Sequence, residues 1–485
     1  MAENSILDSY PDYRIDIGME VHVQLNTKTK IFCGCSNAQT ETPNTHICQI
    51  CTGHPGTLPV LNEEVLNSAI KAALGTNSEI APYSIFARKH YFYPDLPKGY
   101  QTTQDKDPFC ANGYIPITLE DGTEKNIRLI RIHIEEDAGK NSHSELTGES
   151  FVDFNRAGTP LLEIVSHPDI ESAQEVKAYL KKLRAIVQFL GICTGNMEEG
   201  SFRADTNISV RKKTSKELGT RCELKNINSF KYIGDAIEYE IQRQIELIES
   251  GDRVIQQTRL WDPKKKISVA MRSKEEAADY RYFPEPDLPI MHIETSRIEK
   301  IKADLPELPD QKLTRLQSQY GITAYEAGIL LDDMDLCAYF EAAATHTSEK
   351  QLINWILRDL MAYLKESKET FTTCKVTPER LAALVNLVGA GTINTRAAQE
   401  IFEEITQTGK NPADIVKEKG LEQIGDSSEL EIIVKEIIAA NPSVVADYKS
   451  GKDRLFGFFV GQAMQKTKGK GNPAVINELL KKYLN

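Results

Sequence analysis

The chain has 485 residues, of which 40% are hydrophobic and 26% charged, which suits a folded protein of roughly two to four domains with sizeable cores. Its net charge of −12 argues against a general nucleic-acid binder, and the lack of an apolar run of about 18 residues excludes a membrane-spanning helix. Residues 1–16 contain acids and no apolar run, so we expect no signal peptide. Nine cysteines without such a signal indicate a reducing compartment, the cytoplasm.

The first predicted strand, residues 19–25, alternates between apolar and polar side chains. Glu20, His22 and Gln24 are its polar residues. Side chains point alternately to the two faces of a strand, so these three share one face while the apolar residues face a core. Acid and imidazole concentrated on one face are typical of a site for a hard cation such as Mg²⁺ and the phosphates it carries.

The next motif is a group of cysteines within residues 33–51. It consists of Cys33, Cys35, Cys48 and Cys51. Two closely spaced pairs joined by a short loop predict a zinc knuckle with four thiolate ligands. The first pair is spaced more tightly than usual, which leaves His46 as a substitute ligand, and the alternative is four ordinary cysteines without a metal. The other five cysteines are expected to be small buried hydrophobes: Cys110, Cys193, Cys222, Cys337 and Cys374.

A segment dense in Lys, Tyr and Gln follows at residues 87–104, with turn residues between them. We interpret it as an ordered loop that lines a polar cleft, because its aromatic residues are many for a solvated loop. An ordinary surface loop is the alternative interpretation.

A second strand with a polar face is predicted at residues 129–137. Its polar face carries Arg131, His133, Glu135 and Asp137. Further along, Glu163 lies inside an otherwise apolar strand, where a lone charge is costly unless it is paired or bound to a metal. Each of these acids alone would more often be a surface or ion-paired residue, so the prediction depends on their number.

Two amphipathic helices are predicted next, at residues 173–190 and 229–250, the second with Ser229 as its N-cap. Two further strands carry alternating polar residues: Arg203, Asp205 and Asn207 on the first, Glu223 and Lys225 on the second. The strand-like runs of this part of the chain, these two included, are 19–25, 114–119, 127–134, 202–210 and 220–225. Strands and helices do not alternate regularly, so an α+β fold around an antiparallel sheet is predicted.

The composition changes near residue 293, and almost no strand-like run follows. The predicted divisions are a sheet-based catalytic domain at 1–292, a helical domain at 293–410 and a small helical tail at 411–485. Amphipathic helices are expected at 351–367 and at 378–388, the latter with Thr377 as N-cap and Pro378 at the first helical position.

The tail differs in charge from the rest of the chain. Residues 441–485 contain eight Lys or Arg and three Asp or Glu, a net +5, so the remainder carries −17. Lys466, Lys468, Lys470, Lys481 and Lys482 carry most of the positive charge. Such asymmetry predicts a basic appendage that meets a polyanion, with a solvated basic face as the alternative.

No G-x-x-x-x-G-K-[ST] and no G-x-G-x-x-G signature occurs, so a nucleotide must be held in another way. Several long runs closely resemble the B subunit of the glutamyl-tRNA(Gln)/aspartyl-tRNA(Asn) amidotransferase, the GatB/GatE family, and the tail resembles a YqeY-type module. These runs are residues 18–25, 48–62, 86–104, 132–140, 153–169, 195–210 and 222–229.

The resemblance implies an ATP-dependent carbon–nitrogen ligase that works in a heterotrimer with an amidase (A) subunit and a small C subunit. The amidase releases ammonia from glutamine, and a channel delivers it. The B subunit uses ATP and Mg²⁺ to phosphorylate the side-chain carboxylate of Glu-tRNA(Gln) or Asp-tRNA(Asn), and ammonia displaces the phosphate to give Gln-tRNA(Gln) or Asn-tRNA(Asn). The YqeY-like tail is expected to bind tRNA.

The resemblance also implies roles for residues. Catalytic roles fall to Glu20, Glu135, Asp205 and Glu223. Mg²⁺ ligands are His22, Glu135 and Glu163, and a structural Zn²⁺ is held by the four cysteines of residues 33–51. Nucleotide binding or the channel mouth involves Lys89, Tyr91 and Lys98. The competing interpretation is a tRNA-binding scaffold without catalysis, in which the acids only form ion pairs.

Overall fold

A computed structural model describes residues 9–144, 147–225, 227, 229–271, 279–423, 427–467 and 470–484 of the chain. The chain forms two compact units, Met1–Pro309 and Asp310–Asn485. Residues 226 and 228 of the 222–229 run, and Lys468 and Gly469 of the tail, lie outside the described residues.

The first unit is built on β-strands. In the described part of the chain they are β1 (Tyr13–Gln24), β2 (Glu79–Ile80), β3 (Tyr83–Ser84), β4 (Phe86–His90), β5 (Tyr100–Gln104), β6 (Cys110–Ala111), β7 (Tyr114–Thr118), β8 (Glu124–Glu136), β9 (Lys140–His143), β10 (Ser150–Asp153), β11 (Pro160–Ser166), β12 (Phe202–Lys212), β13 (Cys222–Lys225), β14 (Thr258–Asp262), β15 (Ile267–Ala270), β16 (Phe283–Pro284) and β17 (Met291–His292).

Ten of these strands form one sheet, in the order β15-β14-β13-β12-β1-β11-β8-β6-β2, with β7 paired to β8. The central strand β1 is antiparallel to both neighbours, β11 and β12, and β11 is antiparallel to β8. The pair β13–β14 is parallel, which the sequence did not predict. A separate sheet, β16-β4-β5, contains part of the polar segment 87–104.

The helices of the first unit are α1 (Glu63–Gly75), α2 (Ala173–Phe189), α3 (Phe230–Glu249) and α4 (Thr295–Ala303). The predicted helices at 173–190 and 229–250 are confirmed as α2 and α3. Ser172 and Ser229 each accept a hydrogen bond from a backbone N–H of the first turn, which satisfies a donor that has no partner within the helix.

The core of this unit lies between the apolar face of the large sheet and the helices. Met19 and Val21 of β1 are buried in one cluster with Val176 and Leu180 of α2 and Ile237 of α3. Residues of β1 alternate between this buried face and the other, so Glu20, His22 and Gln24 emerge together on the opposite side. Burial of the apolar set therefore fixes the register that collects the polar set.

The second unit is helical. Its helices are α5 (Pro309–Tyr320), α6 (Ala324–Asp332), α7 (Met334–Ala344), α8 (Leu352–Asn354), α9 (Met361–Ser367), α10 (Pro378–Gly389), α11 (Thr395–Thr408), α12 (Pro412–Lys419), α13 (Ser427–Ala440), α14 (Pro442–Lys449), α15 (Phe456–Lys466) and α16 (Pro473–Leu484). A π-helical segment, Trp355–Leu360, links α8 and α9 within the predicted helix 351–367. Helix α10 begins with Thr377 as N-cap, as predicted.

Two hydrophobic cores occupy this unit. One extends from Leu316 to Val416, and the other from Leu430 to Leu484. The predicted α+β class, with a sheet-rich N-terminal part and a helical C-terminal part, is confirmed. The divisions at 292/293 and 410/411 stay predictions. No helix of the described residues is long and apolar enough to cross a lipid bilayer.

Candidate active site and metal centre

The acids predicted on separate strands share one face of the large sheet. Strand register places Glu20 opposite Asp205, His22 opposite both Glu163 and Arg203, and Glu163 opposite His133. Directly opposed residues of antiparallel strands point to the same side of a sheet, with Cβ atoms about 5 Å apart. Four strands thus form a continuous row of carboxylates and imidazoles.

His22 lies at the centre of three carboxylates. Its Nε2 lies 3.4 Å from Glu135 Oε1, 3.8 Å from Glu20 Oε1 and 3.9 Å from Glu163 Oε2. Burial by itself lowers the pKa of His22, but Glu135, together with Glu163 and Glu20, outweighs it and raises the pKa to about 9. The three carboxylates thus converge on one nitrogen, at distances longer than those of good hydrogen bonds.

Glu163 is the acid that the sequence placed in a buried strand, and the structure shows it nearly buried. Arg131 Nη2 donates to its Oε1 at 3.2 Å, and His133 Nδ1 lies 3.7 Å from the same oxygen. Burial, with Glu135 and Glu20 nearby, raises the pKa of Glu163 to about 7. Burial and Arg131 lower the pKa of His133 to about 3, so this second imidazole is neutral.

Glu135 is the most buried of the three acids around His22, with 2% of its surface exposed. Thr103 Oγ1 of β5 donates to its Oε2 at 3.0 Å. Burial alone raises the pKa of Glu135, but His22 and Lys89 outweigh it, so the pKa lies below its usual value. The smaller sheet therefore supplies both a donor and a cation to this acid.

The predicted loop residues divide between two places. Lys89 Nζ lies 4.9 Å from the ring centre of Tyr280, and Tyr91 packs edge-on against the same ring at 6.2 Å. Burial, followed by the charge of Glu135, raises the pKa of Tyr91. Lys98 instead forms an ion pair with Glu136, the neighbour of Glu135 on β8.

Asp205 and Glu223 form a second group farther along the same face. Lys225 Nζ lies 2.9 Å from Asp205 Oδ2 and 3.0 Å from Glu223 Oε1. Thr258 Oγ1 donates to Glu223 Oε2 at 2.8 Å. Burial lowers the pKa of Lys225, but Asp205 and Glu223 outweigh it and raise it. This group is closed by its own lysine.

Sequence reasoning missed several residues of the site. Thr103, Glu136 and Tyr280 come from the small sheet, the end of β8 and a distant segment, and their contacts are long-range. Tyr280 has no local signal, whereas Glu136 could have been found as the acid that directly follows Glu135 at the end of a polar strand.

The four cysteines of residues 33–51 are brought together. Cys51 Sγ lies 3.6 Å from Cys33 Sγ and 3.8 Å from Cys48 Sγ, and all four sulfurs lie within 4.8 Å of one another. Four sulfurs about 2.3 Å from a tetrahedral Zn²⁺ would be about 3.8 Å apart, so the arrangement fits this ion. His46 Nδ1 instead lies 2.9 Å from the Ala38 carbonyl oxygen.

The thiols of this cluster differ in acidity. The contact with Cys33 and the charge of Lys30 lower the pKa of Cys51 to about 4, despite its burial. Burial raises the pKa of Cys35 to about 11. All nine cysteines are free of disulfide bonds. A cysteine binds a metal as its thiolate, so metal binding to this cluster would release protons.

Comparison with known proteins agrees with the resemblance seen in the sequence. Residues 15–299 match the family described as the GatB/GatE catalytic domain, and residues 338–484 match the family described as the GatB domain. The sheet-based unit with its acidic face, followed by helical cores, thus has the organisation of the GatB/GatE class.

Relatives match nearly the whole chain. Proteins named as the B subunit of aspartyl/glutamyl-tRNA(Asn/Gln) amidotransferase are 53% identical in Geotalea daltonii, over 98% of this chain and 99% of the relative, and 51% identical in Thermodesulfovibrio yellowstonii, over 97% and 99%. The relative in Myxococcus xanthus is 51% identical over 98% and 99%. The chain belongs to the family of aspartyl/glutamyl-tRNA(Asn/Gln) amidotransferase B subunits.

Proposed function

We propose that this chain is the ATP-dependent subunit of a tRNA-dependent amidotransferase, which converts Glu-tRNA(Gln), Asp-tRNA(Asn) or both into the amide forms. The observation that carries the proposal is the set of three carboxylates around His22, on a chain that matches amidotransferase B subunits along nearly its whole length. An acidic, partly buried sheet face of this kind suits a cation that carries phosphates.

The chemistry explains why ATP is needed. A side-chain carboxylate resists attack because an oxide would have to leave. A carboxylate oxygen of the tRNA-bound residue attacks the γ-phosphorus of ATP, and ADP leaves with the electron pair of the broken bond. Ammonia then attacks the carbonyl carbon, phosphate leaves, and the nitrogen loses a proton to give the amide. Phosphoryl transfer needs mainly positioning and charge neutralisation from a protein.

The donor set fits a divalent cation. One ligand atom each from Glu20, His22 and Glu163 lie within 4.8 Å of one another, and burial, followed by repulsion from Glu135 and Glu20, raises the pKa of Glu163. We assign His22 and Glu163, together with Glu135 at 3.4 Å from His22 Nε2, to this ion as its holders, directly or through water. Glu20 is close enough to bind the same ion, and we assign it to the reacting groups as well. Bound Mg²⁺ would neutralise phosphate charge. The carboxylates suit Mg²⁺, and the imidazole also suits transition metals.

Other residues bind and orient. Lys89, which lies close enough to Glu135 to influence its pKa, is placed to offset phosphate charge, with Tyr91 beside it at the mouth through which ammonia arrives. Asp205 and Glu223 are proposed to orient the substrate through the lysine between them. Lys98 acts indirectly, because its ion pair with Glu136 fixes the end of β8 next to Glu135.

The relatives are named as one subunit of an enzyme, which indicates a complex. We propose an amidase partner that releases ammonia from glutamine and a small third subunit, as the family resemblance implies, with residues 411–485 as the part that binds tRNA. The four cysteines are proposed to hold a structural Zn²⁺, since four thiolates leave no position open for catalysis. Nine free cysteines suit a reducing cytoplasm.

The direct test is an assay of the complete assembly with Glu-tRNA(Gln) and Asp-tRNA(Asn) in separate reactions. Amide formation is expected only with ATP, a divalent cation and glutamine or ammonium together, and ATP hydrolysis should rise when mischarged tRNA is added. A tRNA-binding scaffold without catalysis would bind the same tRNAs, but it would hydrolyse no ATP and would need no cation.

A further inference from the structure

Lys30 is a fully buried lysine beside the cysteine cluster. Its side chain is 0% exposed. Its Nζ donates to Cys51 Sγ at 3.5 Å and to the Phe154 carbonyl oxygen at 3.3 Å, and its backbone N–H donates to the Cys35 carbonyl oxygen at 3.0 Å. Lys30 is therefore tied to the cluster through both its backbone and its ammonium group.

The ammonium of Lys30 lacks the usual kind of counter-charge. Among the described residues, no carboxylate forms an ion pair with it, and its two polar partners are a sulfur and a neutral carbonyl. A buried ammonium without a paired anion is costly, and lysines are almost never fully buried unless paired. The atom within reach of this ammonium that becomes an anion when a metal binds is Cys51 Sγ, 3.5 Å away.

The net charge of the four cysteines with a bound Zn²⁺ explains why a lysine would lie beside them. Four thiolates around Zn²⁺ carry a net charge of −2, and donors to the ligating sulfurs reduce it. We propose that Lys30 is the charge-compensating residue of the metal centre, which holds the ion in place by neutralising and orienting Cys51. The inference rests on the zinc assignment above, and it adds a residue that is not itself a ligand.

The contact of Lys30 with the Phe154 carbonyl oxygen links the cysteine cluster to another part of the sheet-based unit. Phe154 lies in the segment between β10 and β11, and the loop between the two cysteine pairs forms hydrogen bonds with the same segment. The backbone N–H groups of Thr45 and His46 both donate to Asn155 Oδ1 at 2.8 Å, and Phe154 N donates to Asn44 Oδ1 at 2.8 Å. The metal centre is thus attached to the segment that leads into β11, the strand of Glu163.

The test compares zinc release from the full-length chain, assembled with its partner subunits, for the wild type and the variants Lys30→Met and Lys30→Gln. Zinc is measured by elemental analysis, and its transfer to a coloured chelator is followed in time. Lys28→Met is the matched control, because Lys28 is exposed and only two residues away. We expect about tenfold faster release or more for both Lys30 variants, and no change for the control.

The outcomes separate the two proposals. Equal release rates in wild type and Lys30 variants, with about one zinc per chain in each, overturn the role of Lys30 and leave the zinc site standing. Wild-type protein without zinc overturns both. If neither Lys30 variant folds with zinc in excess, the residue serves folding rather than metal retention, and the inference is wrong. None of these readouts depends on ATP chemistry, so failure of the proposed reaction would be seen separately.

Discussion

Two groups of acids lie on one face of the same sheet, yet they differ in how their charge is met. Around His22, the nearest carboxylate oxygens stand 3.4 to 3.9 Å away. Around Lys225, the two acids are at 2.9 and 3.0 Å. We call the first group open, because none of its carboxylates makes a short contact with His22. We call the second group closed, because Lys225 is within hydrogen-bonding distance of both of its acids.

The difference shows which acids can accept another partner. Lys225 already pairs with Asp205 Oδ2 and Glu223 Oε1, so a cation added between these two oxygens would have to displace the lysine. Burial raises the pKa of Glu163, and repulsion from Glu135 and Glu20 raises it further. A divalent ion would replace the proton of His22 and relieve the repulsion between the acids, so the open group is the metal site that we propose. The closed group beside it is the one that we propose orients the substrate.

The largest effect is expected from Glu135→Gln, which removes one charge from the open group while keeping its shape. Because this acid lies deepest among the proposed cation holders, ATP-dependent amide formation should fall by about a thousandfold, equivalent to ~4 kcal/mol. The assay uses the whole assembly with mischarged tRNA, and glutaminase activity of the partner is followed in parallel.

Glu124→Gln is the matched control for that change, because Glu124 lies exposed at the other end of the same strand. It should leave amide formation unchanged. Transamidation at the wild-type rate by Glu135→Gln would remove the open group from the mechanism, and loss of glutaminase activity as well would point to a disrupted assembly.

The open group shows which parts of the site could be predicted from the sequence. Alternation in β1 and β8 predicted that Glu20, His22 and Glu135 would face one way, because a strand has a strict period of two. That Glu163 would stand opposite His22 depends on strand pairing, which no local pattern encodes. The parallel β13–β14 pair and the contact of Lys89 with Tyr280 escaped prediction for the same reason.

In the cysteine cluster, all four proposed ligands would be occupied by the metal. Loss of the metal should therefore lower the melting temperature of the protein. Cys48→Ser takes away one of four ligands, so the metal should be lost and the melting temperature should fall by several degrees, as about 1 kcal/mol or more would produce. Thermal unfolding with zinc analysis checks this. Cys110→Ser is a poor control because that thiol is buried, so Ser36→Ala, in the same loop, serves instead. An unchanged melting temperature after zinc removal would contradict a structural role.

A smaller effect is expected in the lysine-bridged group. Lys225→Met should leave Asp205 and Glu223 to repel each other, which lowers the free energy of unfolding by roughly 1 kcal/mol, because the lysine is partly exposed and solvent screens the pair. A double-mutant cycle with Asp205→Asn measures the coupling. Amide formation should fall much less than in Glu135→Gln; a fall of the same size would show that the closed group is as much a part of the chemistry as the open one.

The smallest effect is expected in the tail, which we predict to bind tRNA. The structure indicates which of its lysines are best placed for this. Lys466 pairs with Glu436, and Lys470 donates to the Gly420 carbonyl oxygen, so a phosphate would have to replace an existing partner of each lysine. Lys481 and Lys482, both exposed on α16, are better placed for this. The double change to Gln should weaken tRNA binding only about threefold at physiological salt, and it should reduce the slope of log affinity against log salt by about two, one for each lost phosphate contact.

Since we propose the reacting groups in the first unit, the loss in catalysis should appear as a higher KM for charged tRNA with kcat unchanged. Lys449→Gln, another exposed lysine of the same unit, gives the background effect of removing one surface charge. If the double variant binds tRNA with the affinity and salt slope of the wild type, α16 does not contact the nucleic acid, and the positive charge of the tail is a solvated surface that only lowers the repulsion from the acidic remainder of the chain.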